Sequence, residues 1–229
     1  LMAQAPTGIG KTLATLFPLL KARAAGRVDK VFFLTAKTSG RAIALEALRL
    51  LERQAATGGK APADPLRVLE LTAREKVCEH PGRACHGDAC PLAKGFYDRL
   101  PAARAEAARA AWLDRPALRR IALAHEVCPY FLGQEMAHWS DVVVGDYNYY
   151  FDGSAFLWAT MKEREWRAAL LVDEAHNLLE RARGMYTAPL DDGALEEAHR
   201  AAPAAVRGPL ARLHLSLIHI SEPTRLLSI

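Results

Sequence analysis

No run of about 20 apolar residues, the length that crosses a bilayer, occurs anywhere in the 229 residues. The opening "LMAQAP" also lacks the basic-then-apolar order of a secretory leader. No membrane partner is expected, and the expected location is cytoplasmic. Cysteine is scarce, with four in the chain. In a protein with no export signal such thiols stay reduced, so a metal role outranks a disulfide framework. Charge of one sign does not dominate: the net charge is +4 and the pI about 8.9, which permits a nucleic-acid partner without demonstrating one. No repeat of period about 20 to 50 residues is apparent, so a solenoid or propeller is not expected. At 51% hydrophobic and 24% charged, the composition is that of a globular chain with a full core plus an insertion or small second domain.

What is present begins with "APTGIGKT", Ala5 to Thr12. Successive backbone N–H groups around Gly8 and Gly10 can wrap phosphate oxygens, Lys11 can reach the β/γ-phosphates and the Thr12 hydroxyl can hold magnesium. Thr7, Gly8, Ile9, Gly10, Lys11 and Thr12 are the expected ATP and magnesium cradle. The first glycine of the usual pattern is Ala5, so the match is to G-x-G-K-T rather than to the strict motif. Residues 1–6 are expected to lie in a buried strand feeding this loop.

Apolar patterning then predicts a helix over "TLATLFPLLKARAAG", kinked at Pro18, and a buried strand over Lys30 to Ala36. A helix is expected over Ser39 to Gln54, and strands return at Asp141 to Gly145 and Ala169 to His176. The stretch from Ala55 to about Glu135 interrupts this rhythm and reads as an insertion, with Pro101 and Pro116 each placed to open a helix.

A phosphate loop needs an acid at the end of a neighbouring strand for magnesium and a second acid to orient the attacking water. "LLVDEAHN" offers Asp173 for the first role and Glu174 for the second, with His176 as a link between the nucleotide and whatever the protein grips. By itself the tetrad also fits an ordinary acidic cap.

Cys78, Cys85 and Cys90 stand six and four residues apart, and Cys128 follows after a long gap. Spacing alone leaves zinc, an iron-sulfur cluster and idle thiols open, and His80 and His86 are further zinc candidates. Arg99, Arg104, Arg109, Arg115, Arg119 and Arg120 offer a basic face for phosphates, while Phe96, Tyr97, Tyr147, Tyr149 and Tyr150 are candidate base-stacking rings. Each of these residues also suits a plain solvated or packed role.

The pairing of "APTGIGKT" with "VDEAHN" resembles superfamily 2 helicases of the DEAH-box type. "FLTAKTSGRAIALEAL" resembles their next motif, which puts Thr35, Lys37 and Thr38 near the nucleic-acid backbone. Four cysteines between loop and DEAH box, the last in "CPYFLGQE" and followed by "DVVVGDYNYYFD", resemble the XPD/DinG family of iron-sulfur DNA helicases from Ala3 to about Arg183.

The resemblance implies an α/β fold, a RecA-like parallel sheet with an inserted helical domain, and a [4Fe-4S] cluster on Cys78, Cys85, Cys90 and Cys128. It also implies ATP and magnesium, a monomer acting on single-stranded DNA and duplex junctions, and 5'-to-3' unwinding in repair or replication. DNA contacts are expected at Thr35, Lys37, Thr38, Arg119, Arg120 and Tyr147. The alternative is a zinc-stapled, nucleotide-switched nucleic-acid-binding module.

The expected organisation is helicase domain 1 over residues 1–65 and 136–183, the cysteine insertion over 66–135, and the start of a helical arch over 184–214. Both ends read as cut. "LSLIHISEPTR" within residues 215–229 resembles a translated sequencing-library adapter and is expected to be foreign. Without a second RecA-like lobe, the isolated chain is expected to be nearly inactive.

Overall fold

The computed structural model describes residues 1–6, 8–57 and 65–221. The chain divides into two units, Leu1–Met185 and Tyr186–Ile229.

The first unit is built on a parallel sheet. Among the described residues it has five strands: β1 Lys30–Thr35, β2 Val68–Glu70, β3 Trp112–Leu113, β4 Val142–Asp146 and β5 Ala168–Val172. Their order is β3-β2-β4-β1-β5, and every pairing is parallel. In a strand, successive side chains point to opposite faces, and the core obeys this. Val31, Phe33, Val68, Val142 and Val144 pack on one side with Leu16, Ala44 and Leu48. Phe32, Leu34, Leu69 and Val143 pack on the other with Ala103, Ile121, Leu132 and Met136. A sheet apolar on both faces needs helices on both.

Helices α1 (Lys11–Ala24) and α2 (Thr38–Thr57) cover the first face. The second is covered by α4 (Phe96–Ala110), α5 (Arg115–Ala124) and α6 (Pro129–Ala137), after the one-turn α3 (Arg74–Val77). Asp114 caps α5 by accepting from the Ala117 amide at 3.0 Å, and Pro116 sits in its first turn. Short helices α7 (Asn148–Phe151) and α8 (Phe156–Glu163) follow β4. A 3₁₀ turn, Ala175–Asn177, leads into α9 (Leu178–Met185) after β5.

At the N-terminal strand ends Lys30 is buried. Its amine donates to the carbonyls of His138 at 2.8 Å and Ser140 at 2.5 Å and lies 4.4 Å above the Trp166 ring. Burial pushes its pKa down to about 8. Beside it Arg167 grips Asp29 through both carboxylate oxygens, at 2.6 and 3.0 Å, and holds that carboxyl down to about 2.

Three expectations are corrected. Residues 1–6 join no strand, and Leu1 and Met2 are exposed, because a strand persists only where a neighbour completes its ladder. The stretch 66–135 is not wholly an insertion, since β2 and β3 belong to the same parallel sheet as β1. Pro101 does not open a helix: α4 begins at Phe96, whose ring meets Phe131 at 6.0 Å, and Pro101 lies inside it at the loss of one helical bond.

The second unit contains α10 (Asp192–Ala201), capped by Asp191 on the Ala194 amide at 2.8 Å, and α11 (Ala204–Ser221). Leu195 is its buried anchor. The part of the suspected adapter after Ser221 lies outside the described residues. No helix of the described residues is long and apolar enough to cross a membrane.

Candidate nucleotide site and cysteine pocket

Ligands of open parallel sheets bind at the carboxyl ends of the strands. At that edge β1 ends in Thr35, β4 in Asp146, and β5 runs out into Asp173 and Glu174. Thr35 is 2% exposed, and its hydroxyl hydrogen-bonds the Asp173 carboxylate. The start of α2 presses on the same point. A Cβ on Gly40 would stand 2.2 Å from Thr35 Oγ1 and 3.3 Å from Asp173 Oδ2, so only glycine fits there. Burial, then the charge of Glu174, pushes the Asp173 pKa up; the Glu174 amide, Lys11 and Thr35 oppose this. A half-buried carboxylate left short of positive charge is suited to a cation.

Glu174 has φ 51 and ψ 45, a left-handed backbone uncommon outside glycine. Its carboxylate lies 3.3 Å from His176 Nδ1. The Tyr147 hydroxyl reaches the backbone carbonyls of both Asp173 and Glu174, the latter at 3.0 Å.

In the glycine loop, Gly8 and Gly10 have φ of 85 and 84, with open space where a Cβ would stand, so backbone conformation rather than crowding calls for glycine. Gly10 precedes α1, which starts at Lys11, and Ile9 is exposed. The Lys11 amine donates to the carbonyls of Ala5 and Pro6, both at 2.9 Å. Thr12 lies in the first turn of α1, half-buried. Thr7 lies outside the described residues.

Cys78, Cys85, Cys90 and Cys128 line a single pocket together with Arg74 and Phe131, and none is in a disulfide. Among the described residues, no three His, Cys, Asp or Glu side chains converge tightly enough to hold one metal ion. A shared cavity and a tight donor set are different tests, and the cysteines meet only the first. Cys128 is the N-cap of α6; burial raises its pKa, against the amides of Phe131 and Tyr130. His80 lines the pocket; His86 is not among its lining residues and is exposed.

The arginines expected to form a basic face largely bind the protein itself. Arg99 donates to the carbonyls of Lys94 at 2.5 Å and Glu126 at 2.8 Å, clasping the chain after Cys90 to the chain before Cys128. Arg119 grips Glu79, next to Cys78, at 2.6 and 2.7 Å, and lowers that carboxyl's pKa. Arg115 donates to the Lys76 carbonyl at 2.6 Å, Arg104 pairs with Glu135 at 2.9 Å, and Arg109 bonds the Ala105 carbonyl.

Of the expected DNA contacts, Lys37, Thr38, Arg119 and Arg120 are exposed, Arg119 with its guanidinium engaged by Glu79. Thr35 is buried against Asp173, and Tyr147 is fully buried, so neither side chain is presented to solvent in this structure. Tyr97 is exposed, with its ring edge-on to Phe96 at 5.4 Å, whereas Tyr149 and Tyr150 are half-buried.

Residues that sequence reasoning passed over include Gly40 and the buried pair of Arg41 with Glu70, whose other oxygen accepts from the Arg115 amide at 3.0 Å. Arg181 was passed over too; it holds both Asp146 oxygens at 2.9 Å. The acid pair at strand ends and a glycine loop entering α1 define an α/β protein of the RecA-like class.

Comparison with known proteins places the chain more narrowly. The DEAD_2 family model matches residues 66–195, more than half of the chain, and the chain belongs to that family. The glycine loop precedes the matched span. An XPD helicase structure superposes with a TM-score of 0.54 at 18% identity, over 93% of this chain and 36% of that one. A truncated XPD gives 0.56 at 19%, over 94% and 59%. A Regulator of telomere elongation helicase 1 homolog from Culex quinquefasciatus is 29% identical over 129 residues, 49% of this chain and 13% of that protein. The chain thus spans a minor part of that relative. The likeness to XPD/DinG-type superfamily 2 helicases and the RecA-like fold are both borne out.

Proposed function

We propose that this chain is the nucleotide-binding lobe of an ATP-dependent DNA helicase that translocates 5'-to-3' on single-stranded DNA and separates duplex at junctions, in repair or replication. The observation that carries the reading is the pairing, in one unit, of an acid pair at the sheet's carboxyl edge with four thiols lining one pocket.

In this reading the amides around Gly8 and Gly10 bind phosphate oxygens, and Lys11 exchanges its bonds to the Ala5 and Pro6 carbonyls for the β/γ-phosphates. Asp173 and Thr12 would hold magnesium, which when bound neutralises charge on the phosphates. Glu174 orients the attacking water and takes its proton. His176, paired to Glu174, connects this acid to the DNA-gripping surface. Lys37, Thr38 and Arg120 are exposed candidates for phosphate contact, whereas the equally exposed Arg119 is engaged by Glu79.

Cys78, Cys85, Cys90 and Cys128 would hold a [4Fe-4S] cluster, which supplies a cross-link between segments distant in sequence. The donors fit: four thiols around one pocket suit an inorganic core wider than a single zinc ion, whose sulfurs at 2.3 Å would stand only about 3.8 Å apart. Hydrolysis by these 229 residues alone is expected to be slow, because an arginine supplied by a second lobe is worth roughly 10³ to 10⁵ in rate.

Anaerobic purification with metal analysis tests this. A brown protein absorbing at about 400 nm, with stoichiometric iron, supports the helicase reading. Stoichiometric zinc without iron would replace it with the zinc-stapled binding module.

A further inference from the structure

Glu174 departs from ordinary backbone geometry where the proposed chemistry would occur. A left-handed backbone at a non-glycine residue is costly and persists only where the surroundings over-determine it. Residues 146–148 supply such surroundings. The Tyr147 ring is fully buried, so its hydroxyl has one available direction, toward the Asp173 and Glu174 carbonyls. On either side of it, Asp146 accepts Arg181 at 2.9 Å and Asn148 Oδ1 accepts the same guanidinium at 3.4 Å. Arg181 belongs to α9, the helix that follows the acid pair. The end of β4 is thereby docked both to the backbone of the acid pair and to the helix beyond it. The Glu174 carbonyl also accepts from Asn177, from its backbone amide at 2.9 Å and its side-chain amide at 3.2 Å.

We propose that Tyr147 is a positioning residue for Glu174: its buried hydroxyl holds the Asp173 and Glu174 carbonyls so that Glu174 keeps the left-handed conformation that aims its carboxylate at the reacting water. The proposal rests on the reading of Glu174 as the water-activating acid. Loss of the hydroxyl takes its donor from the Asp173 carbonyl and leaves the Glu174 carbonyl to the Asn177 amides alone, without removing any ring packing.

Tyr147→Phe tests this in the whole chain, with two readouts. Backbone ¹³C shifts of Glu174 report left-handed geometry in the wild type and move toward right-handed or extended values in the variant. In parallel, slow ATP hydrolysis falls by about ten- to a hundredfold in kcat while KM for ATP is unchanged. Tyr147→para-aminophenylalanine, which returns a donor to the ring's tip, restores both. Wild-type shifts together with a wild-type rate in Tyr147→Phe would overturn the proposal. Should that variant fail to fold, wild-type Glu174 shifts outside the left-handed range would overturn it equally.

Glu174→Gln separates the two layers. Hydrolysis that survives this substitution removes the water-activating role itself. Its loss, beside an unaffected Tyr147→Phe, removes only the positioning role.

Discussion

Around Asp173 the chain is crowded, with Thr35 2% exposed, Tyr147 fully buried and a glycine at 40 that leaves no room for a methyl group. Around Cys78, Cys85 and Cys90 no residue from 73 to 102 is buried at all. The first region is held by strand ladders and by an apolar core on both faces of the sheet. The second has no core of its own and is held by arginines gripping carbonyls and carboxylates. Apolar burial is additive and insensitive to any one bond, whereas a segment without it depends on a few cross-links. If the four thiols hold the proposed cluster, the nucleotide edge should therefore tolerate loss of a cysteine, and the cysteine loop should not.

The most damaging test of that contrast is Cys128→Ser. On the proposed cluster reading, iron content is expected to drop roughly tenfold or more, and residues 78–95 to become open to proteolysis, while amides of β1, β4 and β5 keep their hydrogen-exchange protection. Collapse of the whole sheet would break the comparison. Gly40→Ala works in the opposite direction. Its new methyl group overlaps Thr35 Oγ1, costs about 1–3 kcal/mol and displaces Asp173, so magnesium-dependent nucleotide binding weakens while iron content stays normal. Calorimetric titration with a nucleotide and magnesium checks it.

Arg99→Ala is expected to cost about 2 kcal/mol of local stability by freeing the carbonyls of Lys94 and Glu126. Iron loss to a chelator should quicken, with no change in nucleotide affinity. The smallest effect sharpens the sheet side alone. Lys30 titrates near 8 in the folded chain and near 10.5 when unfolded, so between these values the unfolded state carries the extra proton. Stability should rise with pH from about 8 to 10, at a slope of up to about 1 kcal/mol per unit, and Lys30→Met should flatten the slope. Chemical denaturation at several pH values measures it.

The long elements are legible in the sequence. β1, α2, β4 and β5 carry runs long enough for periodicity to register, and the glycine loop and Asp173-Glu174 declared themselves by residue type. β2 and β3, at three and two residues, were not legible, because a strand that short has no period to detect. The arginines misled for a related reason: composition counts charge but does not say that Glu79, Glu135 and the carbonyls of Lys76, Lys94, Ala105 and Glu126 already occupy it. Tyr147 looked like a candidate for stacking because a ring beside a strand reads the same whether it faces solvent or core.

Chemical identity was a matter of sequence alone: which side chains can bind phosphate, which can carry a proton, and how many thiols are present. Proximity belonged to the tertiary structure. Thr35, Gly40, Tyr147 and Asp173 meet at one edge because parallel strands align their carboxyl ends, and Cys128 meets Cys78 because α6 starts where the cysteine loop returns. Local pattern reports the direction a residue faces within its own element; ladder order and packing decide what it faces.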